Sequence, residues 1–286
     1  MELARHGSGL EATTRAYLSQ VHPVFMLPPL AASVFGALLA QRVDPALAAI
    51  HVLAIFAAVY TAHVKDGYVD FHQRGEDDDH PLTETGCRLG LVASTSVFVG
   101  CCALLWLFVG PVAVALTAPT WVIAYHHAPQ LDTNPVTATT GYPLGIALAI
   151  VGGFYVQTAT LTPVVVAFAL VFLTLLSGVK VIDDSQDYDY DRSIRKRTVA
   201  VVLGPERATA VAYGLMLTAL LAVVGFAAVR VFPPTAVLAS VAFGVVALFA
   251  RRSGPEIATM LLVRGSYVFL AILVAAVWFE PLARFL

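Results

Sequence analysis

Nine apolar stretches, joined by short connections, dominate the sequence. A helix that crosses a bilayer needs about 20 predominantly apolar residues, and each stretch is close to that length. The sequence therefore predicts nine transmembrane helices, at residues 21–41, 45–64, 88–108, 111–127, 138–157, 162–182, 207–229, 232–250 and 260–279. With 58% hydrophobic and 13% charged residues, the chain is too apolar for a soluble protein. What remains is too short for a second domain, so we expect one all-α, polytopic membrane domain over residues 1–286.

The positive charges fall mainly on one side of these predicted spans. Lys and Arg are enriched in the cytoplasmic loops of membrane proteins. Of the 17 Lys and Arg residues, only Arg42, Arg230 and Arg284 lie on the side of the C-terminus, which leaves fourteen on the side of the N-terminus. We therefore expect the N-terminus in the cytoplasm and the C-terminus outside. The excess of Arg over Lys is typical of a GC-rich genome, and we expect the plasma membrane of a prokaryote.

Two clusters of aspartates interrupt the apolar pattern, each at the predicted cytoplasmic end of a span. Asp66 and Asp70 follow the second span and are spaced i and i+4, which places them on one face of a continuing helix. The second cluster lies at residues 183–191, after the sixth span. Carboxylates at a membrane edge are costly to desolvate, so two such clusters on one side favour a functional site.

The spacing of the second cluster also fits a helical face. If the sixth span continues as a helix, Asp184, Asp187 and Asp191 lie at i, i+3 and i+7; a second register replaces Asp184 with Asp183. Carboxylates are ligands of hard divalent cations, and Mg²⁺ usually binds through a few of them together with substrate phosphates. The two clusters therefore predict a Mg²⁺ site for a diphosphate, with Mn²⁺ as the alternative ion.

Other charged residues near the clusters have two interpretations. The run Glu76–Asp79 is expected to be a solvated acidic loop, because four consecutive acids cannot share a helical face. Basic residues flank the second cluster and either bind phosphate or only mark the cytoplasmic side. These residues are Lys180, Arg192, Arg195, Lys196 and Arg197. For Lys180 we favour a functional role, because it lies inside the last turn of the sixth span.

The first cluster resembles a motif of the UbiA superfamily of intramembrane prenyltransferases. That motif reads N-D-x-x-D-x-x-x-D and is followed by R-P-(L/I). We align Asp66 with its Asn and Asp70 with its central Asp, with His80-Pro81-Leu82 following. Arg74 then stands where the last Asp belongs. A shifted register makes Asp66 and Asp70 the last two acids and puts Ala62 at the Asn; in either register the motif is degenerate.

The second cluster resembles the other UbiA motif more closely. Family members read roughly D-x-x-D-x-x-x-D, then basic residues, Thr and a later Gly. This chain has Asp184, Asp187, Asp191, then Arg195–Thr198 and Gly204.

The loop after the fourth span departs from the family. Members commonly have a Tyr followed by Lys-Arg, whereas Tyr125 is followed here by His126 and His127. Either a histidine, His126 or His127, takes over a diphosphate contact, or the pair only lies at the membrane interface.

The resemblance implies a fold, a reaction and a set of site residues. The fold would be a nine-helix bundle with a central cavity open to the cytoplasm. The reaction would move an isoprenyl group from a prenyl diphosphate to a lipophilic acceptor, with Mg²⁺ as cofactor. Expected partners are these substrates and membrane lipid, without nucleic acid.

Catalytic residues would be Asp66, Asp70, Asp187 and Asp191. Metal ligands would be Asp66, Asp70, Asp183, Asp184, Asp187 and Asp191. Diphosphate contacts would be Arg74, Lys180, Arg192, Arg195, Lys196 and His126.

Two related functions remain as alternatives. A UbiA-type terpene cyclase ionises the diphosphate without an acceptor, and a non-catalytic relative binds a prenyl lipid without turnover.

Three other classes of membrane protein are disfavoured by the residues. A CDP-alcohol phosphotransferase needs Asp-Gly-x-x-Ala-Arg, a di-iron hydroxylase needs repeated H-x-x-x-H boxes, and a transporter places ionisable residues at mid-bilayer.

Overall fold

The structure, a computed structural model, describes residues 2–194 and 196–279. Within these ranges the regular structure is helical, apart from a single extended bridge between Ala4 and Leu82. The predicted all-α fold is therefore confirmed. The helices are α1 (Gly9–Leu18), α2 (Pro23–Leu39), α3 (Pro45–Gly67), α4 (Glu84–Phe108), α5 (Pro111–His126), α6 (Pro135–Thr158), α7 (Pro163–Gln186), α8 (Tyr188–Ser193), α9 (Val199–Leu203), α10 (Pro205–Ala228), α11 (Val237–Ala250) and α12 (Pro255–Phe279).

Each of the nine predicted spans coincides with a helix, but the helices differ in length. Among the described residues, six helices are long and apolar enough to cross a membrane. They are α3 with its continuation to Arg74, α4, α6, α7, α10 and α12. Helices α1 and α2 are bent by 65° against each other and make a seventh if they count as one span. Helix α5 has 16 residues and α11 has 14. At a rise of about 1.5 Å per residue, both are shorter than a hydrocarbon core of about 30 Å.

Capping residues and prolines fix where the helices on either side of the first aspartate cluster begin. Helix α3 begins at Pro45, and the preceding Asp44 accepts hydrogen bonds from the backbone N–H groups of Ala46 and Leu47. Thr83 caps α4 in the same way through Gly86. Proline at the first helical position lacks only an N–H group that would have no partner there. The local sequence therefore determines where α3 and α4 begin, on either side of the first aspartate cluster.

The chain divides into two compact units. The first contains the residues up to Asp132 together with Leu148–Leu161. In this unit α3 packs against α2, α4 and α5. Helices α2 and α6 approach closely at two glycines, because a Cβ atom on Gly36 or Gly153 would overlap the backbone of the other helix. Small residues permit such close packing between membrane helices.

The second unit contains Thr133–Ala147 and the residues from Thr162 onward. Helix α7 packs along α10 and also contacts α12, which pairs with α11. Aromatic side chains fill this unit: the ring centroids of Phe168 and Phe232 are 5.0 Å apart, and those of Phe172 and Phe269 are 5.8 Å apart. Helix α7 is thereby held along its length, and it carries the second aspartate cluster at its C-terminal end.

Candidate active site

The first aspartate cluster lies where α3 changes its geometry. After Gly67 the helix continues as a π-helical turn, Tyr68–Arg74, and it ends at Gly75 in the left-handed conformation with φ 65°. The backbone N–H of Glu76 then donates to the carbonyl of Asp70 at 2.7 Å. Turns of this kind inside helices often occur at functional sites. The predicted continuation of the second span past Asp66 and Asp70 is therefore present, but as a wider turn than an α-helix.

Arg74 is the centre of the charged contacts in this cluster. Its Nη1 lies 3.8 Å from Asp70, its Nε 3.7 Å from Glu76, and its Nη2 3.1 Å from Asp132. The side chains of Glu76 and Asp132 are only 10% and 7% exposed. The guanidinium thus compensates three carboxylates, two of them largely buried. Sequence reasoning did not identify Asp132 as part of this group, because it lies 58 residues further along the chain.

The loop that follows the first cluster is held by the N-terminal segment. Arg5 donates from its backbone to Pro81, and Thr83 donates to Leu3. The Arg5 guanidinium lies 4.1 Å from the ring centroid of Phe71. These contacts join residues 3–5 to both ends of the loop. We call residues 2–6 the N-terminal strap.

Most of the acidic run is exposed, as predicted for a solvated loop. Asp77, Asp78 and Asp79 are exposed, whereas Glu76 is held by Arg74. The following residue, His80, is buried and packs against Gly67, where a Cβ atom would overlap its ring. Burial lowers the pKa of His80, and the neighbouring His72 lowers it further. His80 therefore serves as a packing residue beneath the first cluster.

The second cluster is not one continuous helical face. Helix α7 ends at Gln186, Asp187 leaves the helical conformation with φ −92° and ψ 16°, and α8 begins at Tyr188. The prediction that Asp184, Asp187 and Asp191 share one face, and its second register with Asp183, were therefore wrong in assuming an uninterrupted helix. Asp184 and Asp191 are buried, at 2% and 1% exposure, whereas Asp187 is exposed.

Two lysines pair with the buried aspartates. Lys180 donates to Asp184 at 2.6 Å and to Asp183 at 3.0 Å, and Lys196 lies 3.3 Å from Asp191. Burial raises the pKa of Asp191 above the ordinary range of an aspartate, and the Lys196 ammonium partly offsets this. Both lysines were predicted as diphosphate contacts, and in the structure each compensates a buried carboxylate.

One oxygen of each buried aspartate remains available. Oδ2 of Asp184 and Oδ2 of Asp191 are buried without a hydrogen-bond partner among the described residues. Within the same residues, no group of three or more His, Cys, Asp or Glu side chains is arranged to hold a metal ion by itself. Mg²⁺ does not require such a cage, because it usually keeps several waters and binds one or two carboxylates plus substrate phosphates. The donor set of the second cluster fits that mode of binding.

The remaining predicted contacts are more exposed or lie elsewhere. Arg192 is exposed, and Arg195 lies outside the described residues. His126 is half-buried beside Tyr125, with ring centroids 5.3 Å apart. The ammonium of Lys65 lies 4.9 Å from the Tyr125 ring centroid. Lys65 was not predicted as a site residue, although it is a lone cation near the end of an apolar span, the same signal that drew attention to Lys180.

Comparison with known proteins identifies the family. The sequence model of the UbiA prenyltransferase family matches residues 26–260. The chain belongs to the UbiA prenyltransferase family. The resemblance inferred from the two aspartate motifs is therefore confirmed. The match extends over most of the chain and includes both motifs. No curated protein matches the sequence.

Solved structures of UbiA proteins share the fold. A digeranylgeranylglyceryl phosphate synthase is similar with a TM-score of 0.73 at 12% identity, covering 93% of this chain and 97% of that chain. A UbiA homologue from Archaeoglobus fulgidus bound to GPP and Mg²⁺ gives 0.67 at 15% identity, covering 93% and 99%. A UbiA homologue from Aeropyrum pernix K1 gives 0.65 at 15% identity, covering 91% and 98%. At these identities the similarity establishes the fold of this UbiA protein.

Proposed function

We propose that this UbiA protein is a Mg²⁺-dependent intramembrane prenyltransferase. It would move an isoprenyl group from a prenyl diphosphate to a lipophilic acceptor and release pyrophosphate. The observation that carries the proposal is the pair of buried aspartates, Asp184 and Asp191, each with one oxygen near a lysine and the other without a hydrogen-bond partner among the described residues. Membership of a prenyltransferase family and the GPP and Mg²⁺ bound to the A. fulgidus homologue support it.

The acidic residues would hold the metal ion, and the basic residues would contact the leaving group. Asp184 and Asp191 would hold Mg²⁺, with Asp183 and Asp187 beside them on the same segment. The bound ion would supply neutralisation of the diphosphate charge, which makes it a better leaving group. The ammonium groups of Lys180 and Lys196 offset part of the cost of burying Asp184 and Asp191, since an unpaired buried charge is strongly unfavourable.

Basic side chains would stabilise the departing pyrophosphate. Arginine and lysine form charge-assisted hydrogen bonds with phosphate oxygens, and these strengthen as charge develops. The candidates are Arg74, Lys180, Arg192, Arg195, Lys196 and His126. In the first cluster, Asp66 and Asp70 supply negative charge and Arg74 supplies positive charge. The C1–O bond of the substrate would break with its electron pair leaving on pyrophosphate. The acceptor would attack C1 and lose a proton.

The topology that we propose has nine spans. It includes α5 and α11 as short spans, with the N-terminus and both aspartate clusters in the cytoplasm of a prokaryotic cell. The charge asymmetry between the two sides supports it. The proposed outer location of the C-terminus concerns residues 280–286, which lie outside the described ranges.

A product analysis tests the function. Membranes that contain the protein would be incubated with labelled geranylgeranyl diphosphate and Mg²⁺, and the lipid extract would be analysed by mass spectrometry. We expect a labelled prenylated lipid that is absent with a chelator and is formed about 10²–10³ times more slowly in membranes carrying Asp191→Asn. Labelled hydrocarbon formed without an acceptor would instead indicate a cyclase. Tight binding of the diphosphate without turnover would indicate a binding protein.

A further inference from the structure

Arg74 and Asp132 form a fixed ion pair beside the first aspartate cluster. Asp132 follows α5, and its 7% exposed carboxylate accepts a hydrogen bond from Nη2 of Arg74 at 3.1 Å. A buried carboxylate is costly unless a cation compensates it. Because Arg74 is the residue that pairs with Asp132 in the described structure, the two side chains constrain each other's position.

The guanidinium retains donors for another ligand. Among the described residues its one hydrogen bond goes to Asp132, while Asp70 and Glu76 lie at ion-pair distances of 3.8 and 3.7 Å. A guanidinium carries five N–H donors in a planar fork, and this one is still 23% exposed. Such a fork binds phosphate oxygens in a bidentate manner. Arg74 can therefore keep its bond to Asp132 and contact a phosphate group with the remaining donors.

The second carboxylate oxygen of Asp132 also has capacity for a further hydrogen bond. Oδ1 is buried and has no hydrogen-bond partner in the described part of the chain. Its capacity to accept a second donor means that Arg74 does not saturate the carboxylate. Among the described residues, Asp132 therefore holds Arg74 with one carboxylate oxygen and has acceptor capacity left on the other.

A cation at position 74 changes what the first cluster can bind. In the register that aligns Asp66 with the Asn of the UbiA pattern, Arg74 stands where that pattern has an aspartate, so a negative charge is replaced by a positive one. The guanidinium lies beside Asp70 and would repel a divalent ion that approached this carboxylate. A phosphate group, in contrast, is attracted to the same guanidinium. The guanidinium of Arg74 therefore favours direct contact with a phosphate group of the substrate over contact through a metal ion.

We propose that Asp132 is a positioning residue, which holds Arg74 as a direct contact for a phosphate group of the substrate in place of a divalent ion at the first cluster. The inference rests on the prenyl diphosphate activity proposed above and describes how that diphosphate is recognised.

Binding of Mn²⁺ and inorganic pyrophosphate to the purified full-length protein in detergent tests this proposal. Equilibrium dialysis would give the number of ions bound per chain, and we expect a single Mn²⁺ for the wild-type protein with pyrophosphate. Arg74→Asp removes the guanidinium and adds a carboxylate beside Asp70, and we expect a second Mn²⁺ to bind. Asp132→Asn should weaken pyrophosphate about tenfold at saturating Mn²⁺, the scale of one hydrogen bond to a charged group. The ion count should not change.

Two further variants separate positioning from folding. Asp132→Glu keeps the charge and should retain most of the pyrophosphate affinity. Asp78→Asn removes an exposed acid from the acidic loop and should behave like the wild-type protein. If Asp132→Asn fails to fold by circular dichroism, the ion count of Arg74→Asp and the affinity of Asp132→Glu decide the question.

Distinct results would overturn this inference and the proposed function. Two Mn²⁺ ions on the wild-type protein, or unchanged pyrophosphate affinity in a folded Asp132→Asn variant, would overturn the role of Asp132 and leave the proposed function standing. Wild-type protein that binds no pyrophosphate in the presence of Mn²⁺ would overturn both.

Discussion

Burial separates the aspartates of the second cluster into two groups. Asp184 and Asp191 are almost fully buried and near lysines, whereas Asp187 and Asp189 are exposed. A carboxylate that is held in a low-dielectric environment interacts more strongly with a bound ion than an exposed one does. The buried pair should therefore contribute more to turnover than the exposed pair.

Substitution on α8 tests this difference. We expect Asp191→Asn to reduce the steady-state rate by about 10²–10³, the usual cost of losing one transition-state stabiliser. The matched control is Asp189→Asn, two residues away on the same helix and exposed, which should remain near the wild-type rate. Rates would be measured across a Mg²⁺ titration. Equal losses in the two variants would contradict the assignment.

At the scale of single residues, the sequence predicted which charged residues belong to the clusters better than it predicted their contacts. The spacing of the acids identified both clusters, and Lys180 was singled out by its place in an apolar span. The partnership of Arg74 with Asp132 could not be read from the sequence, because it depends on how α5 and the turn after it approach α3. The exposure of Asp187 could not be read either, because it depends on the break between α7 and α8.

Among the structural elements, the N-terminal strap contacts the loop after the first cluster at several points, and we expect these contacts to keep the loop ordered. It supplies the acceptor for Thr83 and the cation that packs on Phe71. We expect deletion of residues 2–6 to speed amide hydrogen exchange in residues 75–83 about tenfold, as a local loss of about 1.4 kcal/mol would. Mass spectrometry of the exchanged peptides measures this.

A variant outside the strap provides the control. Arg15 on α1 is ion-paired with the exposed Glu11, so Arg15→Ala should leave exchange in residues 75–83 unchanged. If the strap deletion also leaves it unchanged, the loop is ordered by its own contacts, such as the packing of His80 on Gly67.

The close contact between α2 and α6 makes a second prediction at this scale. A Cβ atom at Gly153 would overlap the backbone oxygen of Ser33, and a backbone cannot move aside as a flexible side chain can. We expect Gly153→Ala to destabilise the protein by about 1–3 kcal/mol, the usual cost of overpacking. Thermal unfolding in detergent measures this.

Gly145→Ala on the same helix is the matched control, because no atom of the described residues lies within 4 Å of the added Cβ, apart from its chain neighbours and the adjacent backbone of its own helix. It should not destabilise, since Ala favours a helix over Gly by roughly 0.5–1 kcal/mol. A loss of stability in Gly145→Ala equal to that in Gly153→Ala would show that helix contact is not the cause.

The length and apolarity of the nine stretches located the long helices but not their irregularities. All nine apolar stretches contain helices, since length and apolarity are properties of the sequence. The π-helical turn at Tyr68–Arg74 and the interruption at Asp187 depend on contacts of the folded chain. Both irregularities lie within the aspartate clusters, where local geometry matters most for the site.

For the whole molecule, the two clusters lie on the same side of the membrane only if α5 crosses it. Between Asp78 and Asp189 the chain passes through α4, α5, α6 and α7. Four crossings return it to the same side, and three do not. Helix α5 has only 16 residues and an internal proline, Pro119. The topology that we propose has four crossings and therefore places both clusters in the cytoplasm.

Labelling of single cysteines would count these crossings. In a variant without the three native cysteines, Arg42→Cys, Asp78→Cys and Asp189→Cys each place a thiol at an exposed position. An impermeant maleimide added to intact cells should label only position 42, because α3 separates it from position 78. Positions 78 and 189 should react once the cells are opened. Labelling of position 189 but not 78 in intact cells would show that α5 does not cross, and would place the two aspartate clusters on opposite sides of the membrane.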